Sequence, residues 1–244
     1  MNVMMITSVN KSVGKLPQEK ELIPVITHAR RHICPEMKHS TTEVDSGFGI
    51  ADVVFYNFDK NTAKRRKLFG IPRIKSYEIL ETLSVLNEFK SEKINITQLY
   101  NKLPYSPSIF RNKILYFLSN NNIAEIIDNQ YLNLKYKYQI SLQETTAIEA
   151  KISNWKRGLY QAYRYKQYSD YSYLALLKEH INIPKNNIDL FVELNVGLIS
   201  VDINNNLIET IYKPRKDINI FSKWVKYYAN ESVLVKNGYL PANN

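Results

Sequence analysis

The stretch TAIEAKI, residues 146–152, constrains the fold more than any other part of the sequence. Successive side chains of a β-strand point to opposite faces, so Glu149 and Lys151 share one face while Ile148, Ala150 and Ile152 share the other. A carboxylate and an ammonium on a buried strand cost free energy unless they are paired or used. Two interpretations remain open at this point, a structural ion pair and a chemical site.

The sequence on either side of this strand predicts an α/β fold. A first helix is expected at residues 15–33, with Pro17 near its start and Pro24 inside it. Strand-like runs flank the turn Ser46-Gly47-Phe48-Gly49, which predicts a hairpin, and the second run, residues 50–57, reads as a central strand in which Asp52 is the single acid. After residue 152 we expect a helix at 155–169, a strand at 170–177, a helix at 185–195, strands at 196–202 and 207–214, and a final helix at 219–235.

The segment between these parts has a different pattern. Residues 60–75 read as a basic connector, and helical apolar spacing then predicts three short helices, the third beginning at Ser106 with Pro107 in its first turn. A β-hairpin turning at Asp128-Asn129-Gln130 follows. Three helices and a two-stranded wing are the order of a winged helix, whose third helix is the recognition helix. The predicted domains are therefore an inserted winged helix-turn-helix at residues 74–138 and a discontinuous α/β domain at residues 1–73 and 139–244.

The composition limits the class of protein. Hydrophobic residues make up 44% of the 244 residues, enough for a packed core, and no apolar stretch approaches the ~18 residues of a transmembrane helix. Residues 1–15 are too mixed for a signal peptide, and the single Cys34 excludes an internal disulfide and reads as a small buried residue. We expect a cytoplasmic protein without a membrane partner. The net charge of +10 favours a polyanionic partner, most often nucleic acid, with a solvated basic surface as the alternative.

Three short motifs lie in order on the predicted α/β elements. They are Gly49-Ile50-Ala51-Asp52 on the hairpin, Glu149-Ala150-Lys151 on the strand, and the pair Gln161 and Tyr165 on one face of the next helix. This set resembles the PD-(D/E)xK nuclease superfamily, in particular its RecB-like branch, over roughly residues 15–60 and 140–205. The resemblance implies a restriction-endonuclease-like mixed sheet flanked by helices. Ala51 replaces the proline of the family pattern, and the insertion separates two strands that are usually neighbours, which an autonomous insert would still allow to pair.

The resemblance also implies a metal-dependent site. Asp52, Glu149 and the carbonyl of Ala150 would hold Mg²⁺ or Mn²⁺ through the oxygen ligands that such cations prefer. Lys151 would orient or deprotonate the attacking water and stabilise charge, and the base role requires a lowered pKa. Its ammonium is the one basic group in the motif.

Several further residues are candidates for supporting roles. Gln161 and Tyr165 would position the nucleic acid or the site, with plain helix packing as the alternative. Glu21 is the candidate for an additional metal carboxylate, and Glu19 and Glu43 compete for that role. The four histidines show no spacing of ligands. The candidate DNA-binding residues come from the basic connector and the third helix of the insertion: Lys64, Arg65, Arg66, Ser108, Arg111, Asn112 and Lys113.

We therefore predict a Mg²⁺-dependent DNA endonuclease targeted by an inserted winged helix, in restriction, phage defence or mobile-element biology. The alternative is a DNA-binding regulator or adaptor with an inactive nuclease-like core, and a third hypothesis is a structural protein with a buried Glu149–Lys151 pair. A double-strand cut needs two active sites, so a homodimer fits an endonuclease. The final helix, with Trp224, Tyr227 and Tyr228, would supply a dimer surface or close the core, and the core is favoured.

Overall fold

The computed structural model describes residues 17–217 and 223–242. Along the chain the helices are α1 (Glu19–His28), α2 (Arg30–Ile33), α3 (Lys60–Leu68), α4 (Tyr77–Leu86), α5 (Ile96–Tyr100), α6 (Pro107–Ile109), α7 (Tyr116–Asn120), α8 (Trp155–Tyr165), α9 (Asn182–Asn186), α10 (Ile188–Leu194) and α11 (Lys223–Lys236). The strands are β1 (His39–Asp45), β2 (Ile50–Phe58), β3 (Lys93–Asn95), β4 (Ala124–Ile127), β5 (Tyr131–Leu134), β6 (Leu142–Lys151), β7 (Tyr171–Leu177), β8 (Gly197–Asp202) and β9 (Leu207–Tyr212).

A six-stranded mixed sheet in the order β1-β2-β6-β7-β8-β9 forms the centre of the fold. β1, β2 and β6 pair antiparallel, β6, β7 and β8 pair parallel, and β9 returns antiparallel to β8. This mixed sheet flanked by helices confirms the predicted fold class. The carboxyl ends of β6, β7 and β8 lie at the same edge as the start of β2, which we call the active edge because the candidate residues lie there.

Alternation along β6 distributes its side chains as the sequence predicts. Ile148 and Ala150 pack with Leu22 and Ile26 of α1 on one face of the sheet. Ala147 packs on the other face, in a cluster that includes Tyr165 at the end of α8. Apolar side chains of α8 and α10 extend the packing on that second face over β7 and β8. Glu149 therefore points toward the α8 side of the sheet, away from α1.

β2 and β6 pair although residues 59–141 separate them in sequence. The register aligns Val53 with Ile148 and Val54 with Ala147. The chain leaves the sheet after β2 and returns at β6, and the segment between forms a separate cluster of apolar side chains that Tyr227 of the final helix joins. The expectation that the Asp strand and the Glu-x-Lys strand lie side by side is confirmed.

The segment from α4 to β5 has the order helix, strand, helix, helix, strand, strand. Its third helix begins at the Ser106 cap with Pro107 in the first turn, as predicted, and a π-helical segment at Phe110–Leu115 joins α6 to α7. The predicted hairpin turning at residues 128–130 is present as β4 and β5. The sequence did not predict β3, which pairs with β5 to give a three-stranded sheet in the order β3-β5-β4.

Three sequence predictions of local structure need correction, and one of them is the helix at residues 185–195, which is broken at Asn187 between α9 and α10. The basic connector at residues 60–75 is helical over most of its length, because the Asp59 side chain accepts hydrogen bonds from the backbone N–H groups of Asn61 (2.9 Å) and Thr62 (3.2 Å) and so caps α3. The predicted helix at residues 15–33 is divided at Ala29 into α1 and α2. The signal-peptide assessment of residues 1–15, the first two residues of that helix and residues 219–222 of the predicted final helix lie outside the described residues.

Both connections to the inserted segment are held by one buried polar network, which we call the junction clamp. Arg66 of α3 pairs with Glu231 of α11 at 3.1 Å, and each side chain is about 1% exposed. Arg66 also donates to the carbonyl oxygens of Ile71 (2.6 Å) and Pro72 (2.8 Å). Glu231 accepts from the backbone N–H of Ile74 (2.8 Å) and from the hydroxyl of Tyr138 (2.7 Å). The segments that enter and leave the insertion are thereby fixed to the same helix.

α11 closes the core, as the sequence analysis favoured. Val225, Ala229 and Val233 are fully buried against the sheet, while Tyr227 is buried in the cluster of the inserted segment. Cys34 is also buried, and burial raises the pKa of its thiol to about 11. Among the residues that the structure describes, no helix combines the length and apolar character needed to cross a bilayer.

Candidate active site

Asp52 and Glu149 face each other on neighbouring strands at the active edge. Because Val53 aligns with Ile148, the next step along the two antiparallel strands brings Asp52 opposite Glu149. The backbone N–H of Ala150 donates to Asp52 Oδ2 at 2.7 Å, which fixes the Asp52 carboxylate against the motif strand. Two acids predicted from separate motifs are therefore brought together by strand pairing.

Lys151 lies between two carboxylates. Its Nζ is 2.7 Å from Glu149 Oε1 and 3.2 Å from Glu19 Oε2, and it also donates to the carbonyl oxygen of Ala150 at 3.3 Å. Glu149 is 2% exposed, Lys151 12% and Glu19 52%, so the cluster is deep at Glu149 and open to solvent at Glu19. The ammonium neutralises part of the negative charge at the active edge.

Burial and mutual repulsion oppose ionisation of the two acids. Desolvation raises the pKa of Asp52, a shift that the Ala150 N–H and Lys151 oppose. Desolvation likewise raises the pKa of Glu149, to which the charge of Asp52 adds, while hydrogen bonds from Lys151 and Tyr165 act in the opposite direction. Burial alone would lower the pKa of Lys151, but the hydrogen bonds and charges of Glu149 and Glu19 outweigh it and raise the pKa. Lys151 is therefore an ammonium at neutral pH in this arrangement.

Tyr165 connects the hairpin to the motif strand. Its hydroxyl lies within hydrogen-bond distance of the Ile50 carbonyl oxygen (2.7 Å) and of Glu149 Oε2. One phenol has a single proton, so the Tyr165 hydroxyl can donate to only one of these two oxygens at a time, and its donation to Glu149 stabilises the ionised carboxylate. Gly49, at φ +146°, lies 3.5 Å from the Tyr165 ring where a Cβ would stand. A Cβ at 3.5 Å would be an ordinary contact, so it is the positive φ rather than the spacing that favours glycine at this turn.

Gln161, one turn before Tyr165 on α8, has a buried side-chain oxygen without a hydrogen-bond partner in the described part of the chain. An amide oxygen in this situation is available to a donor that enters the site. The next residue after Gln161 on the buried face, Ala162, packs against the sheet. The structure therefore places Gln161 and Tyr165 on the same side of the sheet as Glu149, as the motif spacing predicts.

The three candidates for an additional carboxylate differ in position. Glu19 contacts Lys151, and its negative charge raises the pKa of Asp52. Glu43 also raises the pKa of Asp52, and it lies in β1 between the aligned pairs Thr42–Val53 and Val44–Ala51, with φ +53°. Glu21 is exposed and has no polar contact with the site in residues 17–217. Glu19 and Glu21 lie two positions apart on a helix and point in different directions, so the structure brings Glu19 rather than Glu21 to Lys151, and the assignment of Glu21 to an additional metal stays a prediction.

The side chains of the site supply only some of the oxygen ligands that a hard divalent cation needs. Within residues 17–217 and 223–242, no group of three His, Cys, Asp or Glu side chains forms a metal site by itself. The available oxygens are the carboxylates of Asp52 and Glu149 and the carbonyl of Ala150, which suits Mg²⁺ because this ion keeps several waters and needs few protein ligands. A cation there would also relieve the repulsion between the two acids.

The predicted DNA-binding residues divide into exposed and buried groups. Lys64 and Arg65 are exposed on α3. Arg66 is buried in the junction clamp, so its assignment as a DNA contact is wrong: a guanidinium that donates to Ile71, Pro72 and Glu231 cannot reach a phosphate. The residues of the third helix of the insertion are all exposed, and Lys113 forms an ion pair with Glu78 at 2.8 Å. These exposed residues are Ser108, Arg111, Asn112 and Lys113.

Two residues of α8 that the motifs did not single out support the site. A Cβ at Gly158 would lie 2.8 Å from Lys151 Cγ and 2.6 Å from Leu174 Cδ1, so this glycine makes room for the lysine stem. An isolated glycine inside a helical pattern is a signal of close packing and could have identified it. Arg164 donates to the Phe48 carbonyl oxygen at the hairpin turn, and no feature of the sequence indicated that contact.

Comparison with known proteins gives a distant similarity to a protein of Acanthamoeba polyphaga mimivirus whose name describes it, provisionally, as a 5'-3' exonuclease. The two chains are 22% identical over 222 aligned residues, which cover 75% of this chain and 34% of the mimivirus protein. This chain therefore spans about a third of that relative's length. No family model matches the chain, and no solved structure matches it. The similarity does not assign the chain to a family.

Proposed function

We propose that this protein is a nuclease, and more narrowly a metal-dependent deoxyribonuclease with a PD-(D/E)xK-like core. The coarse class is supported from two directions. The mimivirus relative is named as an exonuclease, and the active edge carries two acids and a lysine in an arrangement suited to phosphodiester hydrolysis. DNA as the substrate is supported by the net charge of +10.

One observation carries the proposal: Asp52 and Glu149 are opposed on paired strands, with Lys151 2.7 Å from Glu149. A fold stabilised for its own sake has no need of two repelling carboxylates, both with raised pKa values, at one edge of its sheet. Their cost is offset when a cation binds between them, and the bound cation then attracts a phosphate. The arrangement therefore favours a chemical site over a structural ion pair.

The side chains have separable roles in this proposal. Asp52, Glu149 and the Ala150 carbonyl would hold the cation, which when bound supplies charge stabilisation at phosphorus and an activated water. Lys151, as an ammonium, stabilises negative charge that develops on the phosphate, and its raised pKa supports this role over that of a general base. Tyr165 holds Glu149 in place, and the Gln161 oxygen is free to orient a water or a sugar hydroxyl.

We further propose that residues 74–138 form a winged helix that binds DNA. The element order and the sheet order β3-β5-β4 support this interpretation. The exposed residues Ser108, Arg111 and Asn112 would be presented to DNA by the third helix, whose π-helical segment contains two of them. The other exposed candidates, Lys64 and Arg65, lie on α3 outside this segment and would contact phosphates.

Cleavage of supercoiled plasmid tests the proposal. Wild-type protein with Mg²⁺ or Mn²⁺ should nick or linearise the plasmid, EDTA should prevent this, and Lys151→Ala should reduce the rate by at least about a hundredfold. Asp52→Asn, which changes no side-chain volume, provides a second loss of function if Lys151→Ala folds poorly. Lys216→Ala is the matched control, because it removes an exposed lysine paired with Glu144 (2.6 Å) at the opposite end of β6. Full cleavage by Lys151→Ala would contradict the assignment of the site.

A regulator or adaptor with an inactive core makes a different prediction. It would bind DNA without cutting it and would show no rise in melting temperature with Mg²⁺ or Mn²⁺. A rise that Asp52→Asn removes supports the enzyme. Sedimentation of the active protein then decides whether a homodimer forms.

A further inference from the structure

A concave basic site lies where α3 meets the inserted segment. We call it the junction groove: a cavity of about 220 Å³ lined by Arg65 of α3, Lys90 and Glu92 of the loop before β3, and Lys135 and Lys137 just after β5. Four cations from three separate segments of the chain converge there, and Glu92 is the one carboxylate among the lining residues. We propose that the junction groove binds a phosphate of the nucleic-acid backbone, a site separate from the active edge and from the third helix of the insertion.

The cations of the junction groove have little internal compensation. Lys135 pairs with Glu125 at 3.0 Å, but both side chains are about half exposed, and such pairs contribute about 0–1 kcal/mol. Arg65 lies 5.8 Å from the centre of the Phe69 ring. Lys90 and Lys137 have no ion pair or side-chain hydrogen bond within the described parts of the chain. Like charges gathered in a concave surface repel one another, and an anion in the cavity relieves that repulsion.

Contacts between the lining segments hold the walls of the groove in place. The backbone N–H of Leu134 donates to the Glu92 carbonyl oxygen at 2.8 Å, which joins the loop to the end of β5. The rings of Phe69 and Tyr136 lie 4.7 Å apart and join α3 to the segment that carries Lys135 and Lys137. Arg66, buried in the junction clamp, holds α3 so that its neighbour Arg65 faces the cavity. A preorganised cluster loses less entropy when it binds a phosphate.

This inference rests on the proposed function, because the nuclease hypothesis supplies the polyanion. It deepens that hypothesis by assigning a second contact with the backbone to the junction of the two parts. A polynucleotide could then contact the protein at two places, the junction groove and the third helix of the insertion. The groove would add affinity without reading sequence, because phosphates are the same at every position.

Fluorescence anisotropy with a labelled DNA duplex in EDTA, across a salt series, tests the groove. Lys90→Glu/Lys137→Glu should weaken binding and lower the slope of log K against log salt by about 0.9, the value for one lost phosphate contact. Lys38→Glu/Lys213→Glu is the matched control: it makes the same charge change at two exposed lysines on the edge of the sheet opposite the active edge. Glu92→Gln should act in the other direction and tighten binding.

The outcomes separate this inference from the proposed function. Equal losses of DNA affinity in the groove and control variants would contradict the proposal that the groove binds a phosphate. Cleavage by the wild type that depends on Lys151 would still support the nuclease assignment. A selective loss in the groove variant, with tighter binding by Glu92→Gln, supports the groove whatever the cleavage assay gives. Circular dichroism of each variant confirms that the fold is retained.

Discussion

The chemistry of the candidate site depends on how single charged groups are held. Glu149 is almost completely buried, yet it keeps two partners, Lys151 and Tyr165, that stabilise its charge. Lys151 in turn touches Glu19 at the solvent side, so one ammonium links a buried acid to an exposed one. Binding of a cation near Asp52 and Glu149 would change the partners of Lys151 directly. The lysine is thus placed to respond to the occupancy of the site.

The protonation of the two acids gives a prediction about pH. The pKa values of Asp52 and Glu149 are raised above 3.8 and 4.5, so protons compete with a divalent cation at higher pH than at ordinary carboxylates. The rise in melting temperature caused by Mn²⁺ should therefore shrink as the pH falls through these raised values. Thermal shift assays with Mn²⁺ and with EDTA, across the acidic to neutral range, measure it.

The stability of the metal-free protein should change with pH in the opposite direction and fall as the pH rises. Groups with raised folded pKa values hold their protons more tightly in the folded state, so their contribution to stability is complete below the unfolded values of 3.8 and 4.5. That contribution is lost as the pH rises through the folded values. Asp52→Asn should weaken the pH dependence of the Mn²⁺-induced rise in melting temperature and that of the stability of the metal-free protein. A Mn²⁺ effect that is equal in wild type and Asp52→Asn would place the cation elsewhere.

At the scale of elements, α8 packs so closely on Lys151 that it has a glycine, Gly158, at the point of contact. Gly158→Ala should normally stabilise an exposed helix by about 0.8–1.0 kcal/mol through propensity. Here the added methyl meets Leu174 Cδ1 and Lys151 Cγ at under 3 Å, so we expect lower stability and slower cleavage. Urea denaturation and the plasmid assay measure the two effects. Leu174→Ala in the same chain removes one of the two contacts and should recover part of the lost activity, whereas a stabilised and fully active Gly158→Ala would refute the packing argument.

The elements were more predictable from sequence than the contacts between distant segments. Period-two alternation around Glu149 and the hairpin turn at Ser46–Gly49 indicated two strands, and the family resemblance implied that they pair. No local pattern specified β3, because a three-residue strand is defined by its partner β5. Arg66 was misassigned for a related reason: a basic run looks uniform in sequence, and only the position of Glu231 decides which side chain turns inward. The contact of Glu19 with Lys151 likewise depends on how α1 packs on the sheet.

For the whole molecule, the decisive question is whether the inserted segment is a flexible attachment or part of one rigid body. The junction clamp ties residues on both sides of the insertion to α11, and α11 also packs on the sheet. Tyr227 of the same helix is buried in the core of the insertion. Shared burial of one helix should couple the unfolding of the two parts. Under the proposed function, a rigid connection would present DNA held by the inserted segment to the active edge in a fixed direction.

The junction clamp therefore gives the prediction for the molecule as a whole. Arg66→Met leaves Glu231 buried without its cation, and loss of one partner of a buried pair costs about 3–5 kcal/mol. Arg66→Met/Glu231→Met, which removes both charges, should cost less than the two single variants together, and a double-mutant cycle in urea measures the coupling. Lys102→Met is the control, because its pair with Glu88 is about half exposed and should contribute no more than about 1 kcal/mol.

Fluorescence of Trp155, beside the sheet, and Trp224, between the two parts, should follow one transition in the wild type. Separate transitions in the wild type, or a cost for Arg66→Met no larger than that for Lys102→Met, would show that the clamp does not unite the two parts.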